Sequence, residues 1–176
     1  MKRWLQFGLL FLMLFVVSAC AGYPAKQDTP FAQYNTLVVR PINWKETITD
    51  KLSNADEVRD FMEAQPDLSV LWQTEFTKYI NKVGYFDKVL FTADPAPKGA
   101  LVLEPKIATL DPGIRWVMSG MATYYGVLKT AEGKQIATYT ASRRVSRPVT
   151  STTMGAIRNL VTELGEDAAS GLPEAH

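Results

Sequence analysis

Few side chains in this sequence are of the kinds that do covalent chemistry. There is one cysteine, Cys20, and one histidine, His176. A lone thiol closes no internal disulfide and cannot by itself build a structural zinc site. A Ser–His–Asp or Cys–His device would have to recruit His176, which stands in a terminal stretch where nothing orients it. No phosphate-cradling glycine loop, dinucleotide fingerprint or metal-ligand spacing occurs, so neither a cofactor nor a metal is expected. Glu104 and Asp111 could in principle divide acid and base roles in glycan hydrolysis, which needs one carboxyl with a raised pKa. The simpler reading makes Glu104 a solvent-facing strand residue and Asp111 a turn former. No catalytic residue is assigned, and a non-enzymatic role is expected.

Residues suited to binding are somewhat easier to find. Arg143, Arg144 and Arg147 form the one basic cluster and could meet an acidic headgroup, a glycan carboxylate or an acidic partner. Strand alternation sends Arg143 and Arg144 to opposite faces, so edge protection competes with that reading. Tyr124, Tyr125 and Tyr139 could add an aromatic surface, against the alternative of packing in the core. Of these, Tyr124 and Tyr125 should face opposite layers. The chain has 176 residues, 47% hydrophobic and 21% charged, with 19 basic against 18 acidic residues. That near balance gives no electrostatic reason to expect nucleic acid, which would need a basic stripe.

The surroundings of Cys20 say more than the thiol does. Lys2 and Arg3 precede an uncharged run of 16 residues, Trp4 to Ala19. This has the form of the hydrophobic region of a secretory signal and is short for a bilayer span, which takes about 20 apolar residues. It ends in Val17-Ser18-Ala19-Cys20, followed by Ala21-Gly22. The junction resembles the lipobox of bacterial lipoproteins, with an uncleaved anchor as the competing reading. The resemblance implies that Val17, Ser18 and Ala19 are read by the signal peptidase, and that Cys20 receives a diacylglyceryl group on sulfur and an acyl chain, such as palmitate, on its new amine. Two or more chains hold a protein stably, since each buried methylene adds about 0.8 kcal/mol. The sorting rule of that family disfavours the outer membrane when Asp follows the Cys. Ala21 stands there, which implies the periplasmic leaflet of the outer membrane. Loss of Lys2 and Arg3 takes the 19 basic residues to 17 and leaves a formal charge of −1.

Beyond Cys20, residues 20–33 read as a tether, residues 34–169 as one domain and residues 170–176 as a disordered tail. Thr36 to Arg40 predicts a short central strand stopped by Pro41. Asp56 to Ala64 suggests a short helix capped by Asn54. A second helix follows from Leu68, Leu71, Trp72, Phe76, Tyr79, Ile80 and Val83, ended by Gly84. Lys88–Phe91 and Ala100–Leu110 predict strands, the latter pushed toward an edge or a bulge by Pro105. Asp111-Pro112-Gly113 signals a turn. Trp116–Thr130 and Lys134–Val145 make a long hairpin about Gly133. Met154, Ile157, Leu160, Val161 and Leu164 form a last helical stripe. The expected fold class is α+β, a mixed and largely antiparallel sheet with two or three helices packed on one face.

The motifs Tyr34-Asn35-Thr36-Leu37-Val38-Val39, Gly84-Tyr85-Phe86-Asp87-Lys88-Val89, Ala100 to Ile107 and Gly133-Lys134 together resemble an uncharacterised family of bacterial envelope lipoproteins with a domain of unknown function. The fold of that family is similar to those of curli-secretion and penicillin-binding-protein-activator lipoproteins. The resemblance implies an accessory role in an envelope assembly, with the membrane and an envelope protein as partners. A glycan hydrolase and a small-ligand or lipid carrier are the alternatives.

Overall fold

The structure is a computed structural model and describes residues 25–49, 51–52, 54–115 and 117–176. The signal segment, with Val17, Ser18, Ala19 and Cys20, lies outside them. The elements run β1 (Thr36–Val39), α1 (Ala55–Val83), β2 (Lys88–Phe91), β3 (Leu101–Asp111), β4 (Gly120–Thr130), β5 (Gln135–Val145) and α2 (Thr153–Ser170). The strands form one five-stranded sheet in the order β2-β1-β3-β4-β5. The fold is the α+β arrangement that the sequence predicts.

β1 pairs in parallel with β2 on one side and β3 on the other. Such a strand must be apolar on both faces, and Leu37-Val38-Val39 is. Leu37 and Val39 join the main core under the helices, while Val38 packs with Ala100 and Val102 in a smaller cluster on the opposite face. β3, β4 and β5 are antiparallel. On β4 the residues Gly120, Ala122, Tyr124, Gly126 and Leu128 are buried toward the helices, and Tyr125 between them is exposed. The face opposite the helices is therefore open to solvent along this hairpin.

Pro105 sits beside Gly126 in the β3–β4 ladder. Its carbonyl accepts from the Asn43 N–H, past the end of β1. A strand residue turns its nitrogen and carbonyl to the same side, so the missing donor falls where no strand needs it. A register shift between Ile107 and Thr109 supplies the expected bulge.

Three expectations need correction. The two helices over residues 56–83 are one, α1, 29 residues long and continuous through Pro66. Pro66 removes a donor to the Met62 carbonyl, but Met62 is an exposed residue and water can serve instead. Phe61, Leu68, Trp72, Phe76 and Ile80 keep one buried face across the proline. Second, the tether does not extend to residue 33. Phe31 is fully buried, with ring centroids 5.6 Å from Tyr85 and 5.4 Å from Phe86. Third, the tail is packed. A 3₁₀ turn at Leu172–Glu174 buries Leu172 and Pro173, and His176 exchanges backbone hydrogen bonds with Thr138 at 2.9 and 3.1 Å. Buried Leu172 and Ala175 outweigh the freedom of a chain end.

The helices meet closely. A β-carbon on Gly165 of α2 would stand 2.6 Å from the Trp72 carbonyl of α1. Thr152 caps α2 by accepting the Gly155 N–H at 3.0 Å. Gly84 ends α1 with φ 72°, its N–H bonded to Ile80. No described helix is long and apolar enough to cross a membrane.

Candidate binding site

The six residues expected to form a binding surface do not come together. Tyr124 and Tyr139 lie on the helix side of the sheet, where Tyr124 stacks on Trp72 with ring centroids 5.7 Å apart. The two hydroxyls are 3.1 Å from each other. Burial pushes both phenols well above the ordinary tyrosine value; for Tyr124 the neighbouring Tyr139 adds to the rise, and for Tyr139 the hydrogen bond from Tyr124 opposes it. These are structural groups. The Trp72 indole N–H beside them has no hydrogen-bond partner among the described residues. Tyr125, 45% exposed, faces solvent on the other side, as the alternation requires.

Arg143 and Arg144 point to opposite faces. Arg143 lies against α2, with Nε 3.0 Å from Glu163 and 3.2 Å from Asp167, and Nη2 3.9 Å from Glu166. No acceptor among the described residues meets hydrogen-bond geometry at its Nε, so we read the contact as charge pairing rather than a directed bond. Burial pushes the Asp167 carboxyl up from its usual value, against the pull of Arg143, while Glu166 and Glu163 raise it further. Arg147 is a brace: its Nη1 donates to the Gly113 carbonyl at 2.6 Å and its Nη2 to the Thr153 hydroxyl at 3.0 Å. Thr153 in turn donates to Glu57 at 2.5 Å. One arginine thus ties the β3–β4 turn to the start of α2.

The two carboxylates weighed for hydrolysis are occupied separately. Glu104 accepts from Lys129 at 2.6 Å. Asp111 accepts the Gly113 N–H at 2.8 Å, the turn-forming role expected of it. Gly113 takes φ 69°, and a β-carbon there would collide with the Met118 carbonyl and the backbone of Ser119 and Gly120, so no side chain fits.

What the fold does assemble is a groove at the end of the sheet reached by the C-terminus of β3. A cavity of about 220 Å³ there is lined by Lys51, Asp111, Ile114, Met118, Arg147 and Thr153, among others. Two neighbouring hollows share Asp111 with it. One, of about 270 Å³, adds Met121 and Arg144; the other, of about 170 Å³, adds Ile48. The rim is apolar: Ile114, Val117 and Met118 are 56%, 69% and 52% exposed. β4 begins at Gly120 rather than at residue 116, because an Ile114–Met118 bridge closes a small loop first. Of the six expected residues, only Arg144 and Arg147 reach the groove. Lys51, Ile114 and Met118 were not singled out by sequence; the four large apolar residues Ile114, Trp116, Val117 and Met118 directly after an Asp-Pro-Gly turn were the available signal.

Residues 25–35 lie at the other end. β1 runs parallel to β3 with Leu37 beside Leu101, whereas the groove surrounds Asp111. The 11 residues of β3 separate the two ends by about 35 Å at roughly 3.3 Å per residue.

No protein-family model matches the chain, and no curated protein matches it. Among solved structures it is similar to the PelC dodecamer from Paraburkholderia phytofirmans, at 12% identity and a TM-score of 0.47, over 77% of this chain and 89% of that one. It is also similar to protein XCC0632 from Xanthomonas campestris, assigned to the family model DUF330, at 10% identity and a TM-score of 0.44, over 79% of this chain and 84% of that one.

Proposed function

We propose that this chain is a lipoprotein of the bacterial envelope, anchored through acyl chains on Cys20 to the periplasmic leaflet of the outer membrane, and that its domain is a non-catalytic binding module of an envelope assembly. The observation that carries the binding role is the opposition of the two ends: the chain enters beside the start of β3, and the cationic, apolar-rimmed groove lies around Asp111. An anchor at one end leaves the groove free to meet something beyond the leaflet. Confinement to one surface raises the effective concentration of the domain near membrane-bound partners.

The test is fractionation of cells expressing the full chain or Cys20→Ser, with metabolic labelling by a clickable palmitate. The full chain takes the label and stays with outer membranes after an alkaline carbonate wash, while Cys20→Ser takes none and is released. Retention of Cys20→Ser through that wash would overturn the anchor.

A further inference from the structure

We infer that the groove around the β3–β4 turn binds an extended segment of a protein partner that carries carboxylates next to large aliphatic side chains. This deepens the binding-module reading above and is independent of the anchor.

The first argument is charge. Lys51 and Arg147 line the central cavity and Arg144 the adjoining one, with Arg115 exposed in the same loop. Two described acids lie near the central cavity. Asp111 holds the turn, and Glu57 accepts the Thr153 hydroxyl. Lys51 forms no ion pair with any described residue, unlike Lys78, Lys106 and Lys129, each of which sits on a carboxylate. Lys51, Arg144 and Arg147 outnumber Asp111 among the described residues that line the hollows, so the groove carries net positive charge on a chain that is near neutral as a whole.

The second argument is the apolar rim. A free anion would use the cations and leave Ile48, Ile114 and Met118 wet. All three are more than half exposed and line the hollows. Methionine adapts its shape to a partner, and Met118 is shared by two of the hollows. Interface centres favour Met and Arg in this way.

The third is shape and place. Three adjoining hollows that share Asp111 make a path rather than a single socket. A phosphate or a lipid headgroup would fill one of them. Arg147 and its bonds to Gly113 and Thr153 fix the floor, so the site is formed before its occupant arrives.

The experiment uses the full-length chain in a non-ionic detergent and a fluorescein-labelled peptide of alternating Glu and Leu, read by anisotropy. Alternating Gln–Leu and Lys–Leu peptides are the controls, and vesicles containing phosphatidylglycerol test the lipid source. The Glu–Leu peptide is expected to bind, and to bind about tenfold more weakly to Lys51→Glu/Arg144→Glu, whose sites are surface groups that a folded chain can lose. Met118→Ser should weaken it several-fold with unchanged thermal melting. Binding should also fall as ionic strength rises from about 0.05 to about 0.5 M. Equal binding by these variants and the parent, equal binding of the Gln–Leu peptide, or association with the vesicles and not with the peptide would each overturn the inference. Cys20→Ser is expected to bind the peptide as the parent does, so a failed anchor and a failed groove give different results.

Discussion

The ring of Tyr139 fills the space that a side chain at position 126 would need. A β-carbon on Gly126 would collide with Cε1 of Tyr139 and stand 2.9 Å from the Tyr124 hydroxyl. The two residues are cross-strand partners in the β4–β5 ladder, so the small residue on one strand makes room for the large one on the other. Gly126→Ala should destabilise the domain by about 1–3 kcal/mol through overpacking. Chemical denaturation measures it. In a Tyr139→Leu background the same change should cost less, and additive effects would contradict the contact.

The Tyr124–Tyr139 hydroxyl pair makes a separate prediction. Tyr139→Phe leaves a buried hydroxyl on Tyr124 without a partner and should cost about 1–3 kcal/mol. The double change to Phe should cost less than the two single changes summed. Because burial holds both phenols neutral past the ordinary value, the unfolded chain releases these protons near pH 10 while the folded one keeps them. Stability is then unaffected by this pair below about pH 10 and falls above it. A shallower alkaline fall in the double Phe variant checks the sign.

At an exposed helix position, replacing Gly by Ala gains about 1 kcal/mol. Gly165→Ala should do the reverse, because its β-carbon meets the Trp72 carbonyl, which cannot move without moving α1. A lower melting temperature by circular dichroism is the expected result. A higher one would mean that the helices separate more easily than their packing indicates.

Arg143 is the counter-charge for Glu163, Glu166 and Asp167. Arg143→Leu should cost about 1 kcal/mol at neutral pH, where the three carboxylates then repel each other. Asp167, pushed toward its neutral form by burial, loses its charge more readily than an ordinary aspartate as the pH falls. The difference between parent and variant should therefore shrink on acidification, as urea titrations at several pH values would register.

Much of the fold was legible in the sequence because it rests on local periodicity. The β-branched run at Thr36–Val39, the apolar stripe from Leu68 to Ile80 and the hairpin about Gly133 all fell where their side chains require. The misses share a cause. The stretches 56–64 and 68–83 were read as separate helices, yet five buried side chains on one face of α1 hold it together through Pro66. Phe31 and Leu172 looked like residues of loose ends, yet each finds a pocket made by residues distant in sequence. The binding residues were harder still. Tyr124 and Arg143 carry the right chemistry but point inward, while Lys51 and Met118, some 67 positions apart, meet only because α1 and the sheet bring their loops to one corner. No spacing rule encodes that meeting.

The parallel placement of β1 also orders events in time. It is the first strand to be made, and both of its neighbours lie beyond α1, with Val39 finding Leu103 only after the helix has been traversed. The β4–β5 hairpin, by contrast, closes across the four residues 131–134. Contacts of long sequence separation form slowly because the intervening loop must be closed first. The hairpin should therefore be an early nucleus and β1 a late insertion. Until then, an apolar four-residue strand with both edges unpaired is the part of the newly made chain most in need of protection.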